Sequence, residues 1–318
     1  MPEMNLGEFS HWAIENVRSF LPEAYKKAEI DLYPVAKNDV FYTAMTVRLK
    51  DQMSAPAINL EEMFVAYKNG VPLSAIGSRM AQIALLEGPV YDSSIFDNYE
   101  TMKKNLFIRV CGIEGNKEWL RRIPYKKIEN LAITFHIMVN AGEEGMSSAA
   151  VTNNIMESYN LTTEQLYEDA MKNSPEILPA KVDTMANMLF GLTNVEMDSM
   201  GMPGQPPMVV VTNQMGINGA SALFYPGVMD KVAETLNDNY FVLPSSIHEV
   251  IAIPTSLGSN YRDLEQMVRE VNEMAVAPED QLSNSVYRYD RKAKIFELAA
   301  TQAQRERVAK HRAREMER

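Results

Sequence analysis

The sequence predicts an α+β protein in which antiparallel β-hairpins and sheets pack with helices. Three observations carry that prediction. Apolar residues recur at helical spacing in several windows, short β-branched and aromatic runs stand between them, and pairs of those runs are joined by polar turns.

The first element lies over residues 6–27, where Phe9, Ala13, Val17, Phe20 and Leu21 mark one buried helical face. Two strand-like runs follow, EIDLYPVA and FYTAMTVRL, and the polar Lys37-Asn38-Asp39 junction predicts a hairpin. Asn59, three residues before Glu62, predicts the cap of a helix carrying Leu60, Met63, Phe64 and Tyr67. Another helix over 72–86 completes an N-terminal α-β-β-α-α module, residues 1–104, whose end falls in the acidic, irregular stretch 88–104.

Residues 105–298 read as a larger, mixed α+β module. A short helix near Trp119 precedes LAITFHIMV, which alternates toward a turn at Gly142–Gly145, and SSAAVTN returns from it. Thr162 and Gln165 form a capping box ahead of TEQLYEDAMKN, a helix that Pro175 is expected to stop. Residues 192–207, with three prolines and two glycines, show neither helical nor strand period and predict a long loop. PMVVVTN then reads as a buried strand, 219–236 as a helix interrupted near Pro226-Gly227, and YFVLP and EVIAIP as strands around Pro244-Ser245-Ser246. Asn260 caps a helix with Leu264, Met267, Val268 and Val271 on one face, and VYRYD with KIFEL gives a last hairpin. The end, 299–318, holds six basic and three acidic residues and reads as a solvated polar helix or frayed tail.

Composition narrows the function classes. With 318 residues, 46% hydrophobic and 23% charged, the chain has globular rather than disordered composition. Its net charge is −11, and that argues against a nucleic-acid partner, which would call for clustered Lys and Arg. The single Cys111 excludes a disulfide framework. No apolar h-region opens the chain and no long uncharged apolar run occurs, so a cytoplasmic protein with no membrane partner is expected.

Several phrases match a known family: Val35-Ala36-Lys37-Asn38, Ile123-Pro124-Tyr125, Val211-Thr212-Asn213 with Gly219-Ala220-Ser221, and Leu223 to Val228. The others are Leu243 to Ile251 (LPSSIHEVI) and Val271-Asn272 leading to Leu282-Ser283-Asn284. Over residues 5–298 the chain resembles the uncharacterised bacterial family catalogued as domain of unknown function 5688. The resemblance implies a bacterial, cytoplasmic setting, in Firmicutes often near mobile-element genes, and no known activity.

LPSSIHEVIAI holds the residue types of a nucleophilic triad, and Ser246, His248 and Glu249 are weak catalytic candidates. On a strand, Ser246 and His248 would share a face and Glu249 would point away, so the orienting acid would come from elsewhere. Glu249 would then stand among Ile247, Ile251 and Ile253 and need a partner. The turn Gly216–Ser221 follows a strand, the setting of a phosphate cradle, which makes Asn213, Gly216, Asn218 and Gly219 weak ligand-binding candidates. It lacks the Gly-Lys-Ser/Thr of a Walker A loop, and residues 182–230 hold neither Lys nor Arg. His11, His136, His248 and His311 are scattered, so no metal and no cofactor is expected. Met197, Met200 and Met202, in a Gly/Pro loop where core packing does not account for them, are partner-binding candidates. These features point to a non-enzymatic cytoplasmic binding protein acting on a protein partner, with an accessory role beside a mobile element implied by the family. The alternative is a small-molecule-binding or hydrolytic enzyme with its site around Ser246, His248 and Glu249. No oligomeric state follows from the sequence.

Overall fold

Asn5 opens the first helix, α1 (Leu6–Asn16), with a capping box: its side chain accepts the Glu8 N–H at 3.0 Å while the Glu8 carboxylate accepts the Asn5 N–H at 2.8 Å. The computed structural model describes residues 4–37, 40–50, 52, 55–86, 93–142, 145–190 and 208–316. The chain forms two compact units, one of residues 1–92 with 140–147 and one of residues 93–139 with 148–318.

In the first unit the N-terminal helix is shorter than its apolar period. It gives way to 3-10 turns at Val17–Phe20 and Glu23–Lys27, with Pro22 between them. The predicted face is nevertheless turned inward, with Phe9, Ala13, Val17 and Leu21 buried. Strands β1 (Glu29–Lys37) and β2 (Val40–Arg48) pair antiparallel, the turn residues Asn38 and Asp39 lying outside the described residues. A two-residue strand, β3 (Ile58–Asn59), adds to β2 and leads into α2 (Leu60–Lys68), capped by the Asn59 side chain accepting the Glu62 N–H. Helix α3 (Leu73–Ala84) follows, and the short β3 makes the order α-β-β-β-α-α where the sequence predicts α-β-β-α-α. A Cβ at Gly77 would drive into the Phe20 ring, so this glycine lets α3 lie directly against the Val17–Phe20 turn.

The second unit starts with the short helices α4 (Tyr99–Met102) and α5 (Lys117–Leu120) and most of a four-stranded antiparallel sheet, whose residues 140–142 and 145–147 count with the first unit. Its strands are β4 (Leu106–Gly112), β5 (Tyr125–Ile128), β6 (Leu131–Gly142) and β7 (Gly145–Ala150), with β6 pairing all three others. β6 does not alternate in burial: Leu131 through Met138 are all buried, because both faces of the strand are covered. After α6 (Asn153–Ser158) comes α7 (Thr163–Ile177), opened by the predicted Thr162–Gln165 capping box. Pro175 does not stop α7 but sits inside it. So near the end, proline removes one hydrogen bond, and the Leu178 N–H still closes on the Ser174 carbonyl at 2.8 Å. Fully buried Ser174 also accepts the Ile108 N–H at 2.9 Å, tying α7 to β4.

The larger sheet has six strands in the order β13-β12-β10-β11-β9-β8, every neighbouring pair antiparallel. They are β8 (Ala180–Thr184), β9 (Val209–Asn213), β10 (Tyr240–Leu243), β11 (Val250–Pro254), β12 (Tyr287–Asp290) and β13 (Ile295–Leu298). Helix α8 (Met185–Phe190) follows β8, and the predicted loop 192–207, including Met197, Met200 and Met202, lies outside the described residues. The break at Pro226-Gly227 separates a 3-10 segment, Gly219–Phe224, from α9 (Val228–Leu236). Helix α10 (Tyr261–Ala275) packs Leu264 and Val268 onto the sheet, and α11 (Ala299–Met316) ends the fold. The basic tail is therefore helical, and its start is anchored: buried Glu297 takes a two-pronged bond from Arg305, at 2.6 and 3.0 Å. Among the described residues no helix is long and apolar enough to cross a membrane.

Candidate functional site

The candidate residues gather at one end of the six-stranded sheet, where β9 leaves it. Asn213, the last residue of β9, shapes the next turn: its Oδ1 accepts the Met215 N–H at 3.0 Å and its Nδ2 donates to the Ile217 carbonyl at 2.8 Å. Gly216 and Asn218 take positive φ, at 65° and 52°. At Gly219 a Cβ would meet the Thr212 hydroxyl and lie 2.5 Å from the His248 carbonyl and 2.6 Å from the Asn213 nitrogen. Only glycine permits that approach, which presses the 213–219 turn against the β10–β11 connection.

The connection is bound from both sides. Thr212 Oγ1 donates to the His248 carbonyl at 2.7 Å, the Ala220 N–H to the Ile247 carbonyl at 3.1 Å, and the Asn218 N–H to His248 Nδ1 at 3.2 Å. From the other side, the Ile247 N–H donates to the Asp280 carbonyl at 2.8 Å and Ser246 bridges to Gln281. His248 Nε2 stands 3.3 Å from Asp280 Oδ1. Asn213, Gly216, Asn218, Gly219, Ser246 and His248 thus meet in one polar knot. It joins three segments far apart in the chain.

Two expectations change. Residues 244–249 form an irregular connection, with β11 starting only at Val250, so the alternation assumed for Ser246, His248 and Glu249 does not apply. Glu249 is half-buried rather than enclosed on an apolar strand face. The acid missing from the motif is Asp280, in the turn Pro278–Asp280, which has no local mark tying it to His248. Because Nδ1 accepts a backbone N–H, the neutral imidazole carries its proton on Nε2, toward Asp280. Ser246 Oγ accepts the His248 backbone N–H at 2.9 Å. Both ring nitrogens are engaged, and neither activates Ser246 as a triad histidine would.

Beside the knot, buried Asn272 of α10 donates from Nδ2 to the Ser283 carbonyl at 3.2 Å and to Asn284 Oδ1 at 2.7 Å. Gln281 Nε2 donates to the Asn272 and Val276 carbonyls, satisfying the helix's last turn. These bonds hold α10 in place, yet its outer side is apolar. Leu264 and Val268 are buried as predicted, but Met267, Val271 and Met274 are 55%, 38% and 81% exposed. Spaced at i, i+4 and i+7, they form a second stripe flanked at helical spacing by exposed Asp263 and Glu270, with exposed Arg262, Arg269 and Glu273 elsewhere on the same helix. Among the described residues no group of three or more His, Cys, Asp or Glu could hold a metal ion.

A family model described as a family of unknown function, DUF5688, matches residues 6–291, and the chain belongs to that family. No curated protein and no solved structure matches it.

Proposed function

We propose that this member of DUF5688 is a non-enzymatic binding protein of the bacterial cytoplasm whose partner is another protein, received on the outer side of α10. The carrying observation is the exposed stripe Met267–Val271–Met274 on a helix whose inner side is bonded to the rest of its unit. Apolar patches rimmed by charge mark interaction surfaces, and methionine adapts to the side chains it meets. Three apolar anchors at this spacing suit an amphipathic partner segment, and the flanking Asp263 and Glu270 favour one with a basic edge. Met197, Met200 and Met202 belong to the same proposal as a second contact.

The alternative, a small-molecule or hydrolytic site around Ser246, His248 and Glu249, has less behind it. His248 would first have to release Asn218 or Asp280 to serve Ser246. The test is a pull-down from native bacterial lysate with the full chain, the triple variant Met267→Ser/Val271→Ser/Met274→Ser and a deletion of 193–206. The proposal expects a stoichiometric partner that the triple variant loses at unchanged melting temperature. Equal capture by the full chain and the triple variant would sink it, and equal capture by the full chain and the deletion would remove Met197, Met200 and Met202 from it.

A further inference from the structure

Arg109 is a cation without a counter-charge among the described residues. It lies on β4, whose Leu106, Ile108 and Val110 enter the main core while Phe107, Arg109 and Cys111 face the other side. The register sets Arg109 opposite Thr134 and Phe107 opposite His136 on β6, and both of these β6 residues are buried. The arginine side chain crosses β6 to reach β7, where Nη2 donates to Ser148 Oγ at 2.6 Å. Its Cζ stands 5.6 Å from the centroid of the Phe107 ring. Nε is buried and has no acceptor among the described residues. Among the described residues no carboxylate bonds the guanidinium.

A buried charge of this kind is costly, and proteins ordinarily pair it. Desolvation lowers the Arg109 pKa to about 10, and no neighbouring anion opposes the shift, yet the group stays charged at neutral pH. A guanidinium offers five donors in a fork shaped for carboxylate or phosphate. The surroundings are of matching character. Tyr125 on β5 is paired with Thr134, so it shares the Arg109 face, and Lys127 follows it on that face; both are exposed. Arg109 as a residue is partly rather than fully buried, although its Nε is enclosed.

We infer that this face of the four-stranded sheet binds a small oxyanion, a carboxylate or phosphate group, with Arg109 as the cation that receives it and Ser148 as the residue that aims it. Hydroxyl-bearing Tyr125 and cationic Lys127 flank the entrance. The oxyanion supplies the missing counter-charge, so binding stabilises the folded unit.

The experiment is a thermal-unfolding titration of the full chain with inorganic phosphate and, separately, acetate, at constant ionic strength maintained with chloride. Native chain, Arg109→Met and Arg109→Lys are compared. A saturable rise in melting temperature is expected for the native chain with at least one anion, and the effective one separates phosphate from carboxylate. Arg109→Met should melt no lower than the native chain in anion-poor buffer and show no saturable rise. Should Arg109→Met fail to fold, Arg109→Lys should show half-saturation about tenfold weaker, because a point charge replaces the fork. General salting effects act on all three proteins alike and do not saturate. No saturable response from the native chain, or the same response from the variants, would overturn the inference.

Discussion

Two polar clusters in the second unit make opposite use of buried groups. At the end of the six-stranded sheet, His248, Ser246, Asn213 and Thr212 each find partners within the chain. On the four-stranded sheet, Arg109 has one hydroxyl acceptor and a bare Nε. A satisfied network holds segments together and leaves little for a ligand to add. An unsatisfied cation carries a cost that a ligand can remove. Motif residues thus need not mark the place where something binds.

The sharpest way to break this comparison is Gly219→Ala. A Cβ has no room beside Thr212, Asn213 and His248, so about 3 kcal/mol of stability should be lost, read as a fall in the urea midpoint. A change within ±0.5 kcal/mol, the range usual for a surface substitution, would mean that the knot is loosely packed. His248→Ala comes next. It leaves the Asn218 N–H and Asp280 without their ring partner, and about 2 kcal/mol should be lost. If stability instead held while a ligand response disappeared, the knot would be a binding site and the contrast would reverse. The smallest effect belongs to Ser148→Ala. Loss of the Ser148 hydroxyl that accepts from Arg109 should cost about 1 kcal/mol in anion-poor buffer, and saturating phosphate or acetate should shrink that difference.

The parts legible in the sequence are those closed by near neighbours. Asn59 with Glu62 and Thr162 with Gln165 cap their helices across one turn. The strand runs around Lys37–Asp39 pair as a hairpin, and VVVTN is buried throughout as its unbroken apolar run requires. Strands β4, β5 and β8 had no comparable signature. β4 is nearly buried on both faces, so its pattern has no period of two, and β5 and β8 are too short to show one. Asp280 and Arg109 were missed for a related reason: each acquires its meaning from a residue on another segment.

The sequence alone determined the α+β class, the first hairpin, the Asn59, Thr162 and Asn260 caps, and membership of the family, because these rest on contacts within a few residues or on whole phrases. Tertiary structure decided that residues 244–249 leave the strand, that Asp280 completes the His248 contacts, that Met267 and Val271 face outward, and that Arg109 meets a hydroxyl and, among the described residues, no carboxylate. Those outcomes depend on strand register and on the packing of distant segments, and spacing along the chain does not encode either one locally.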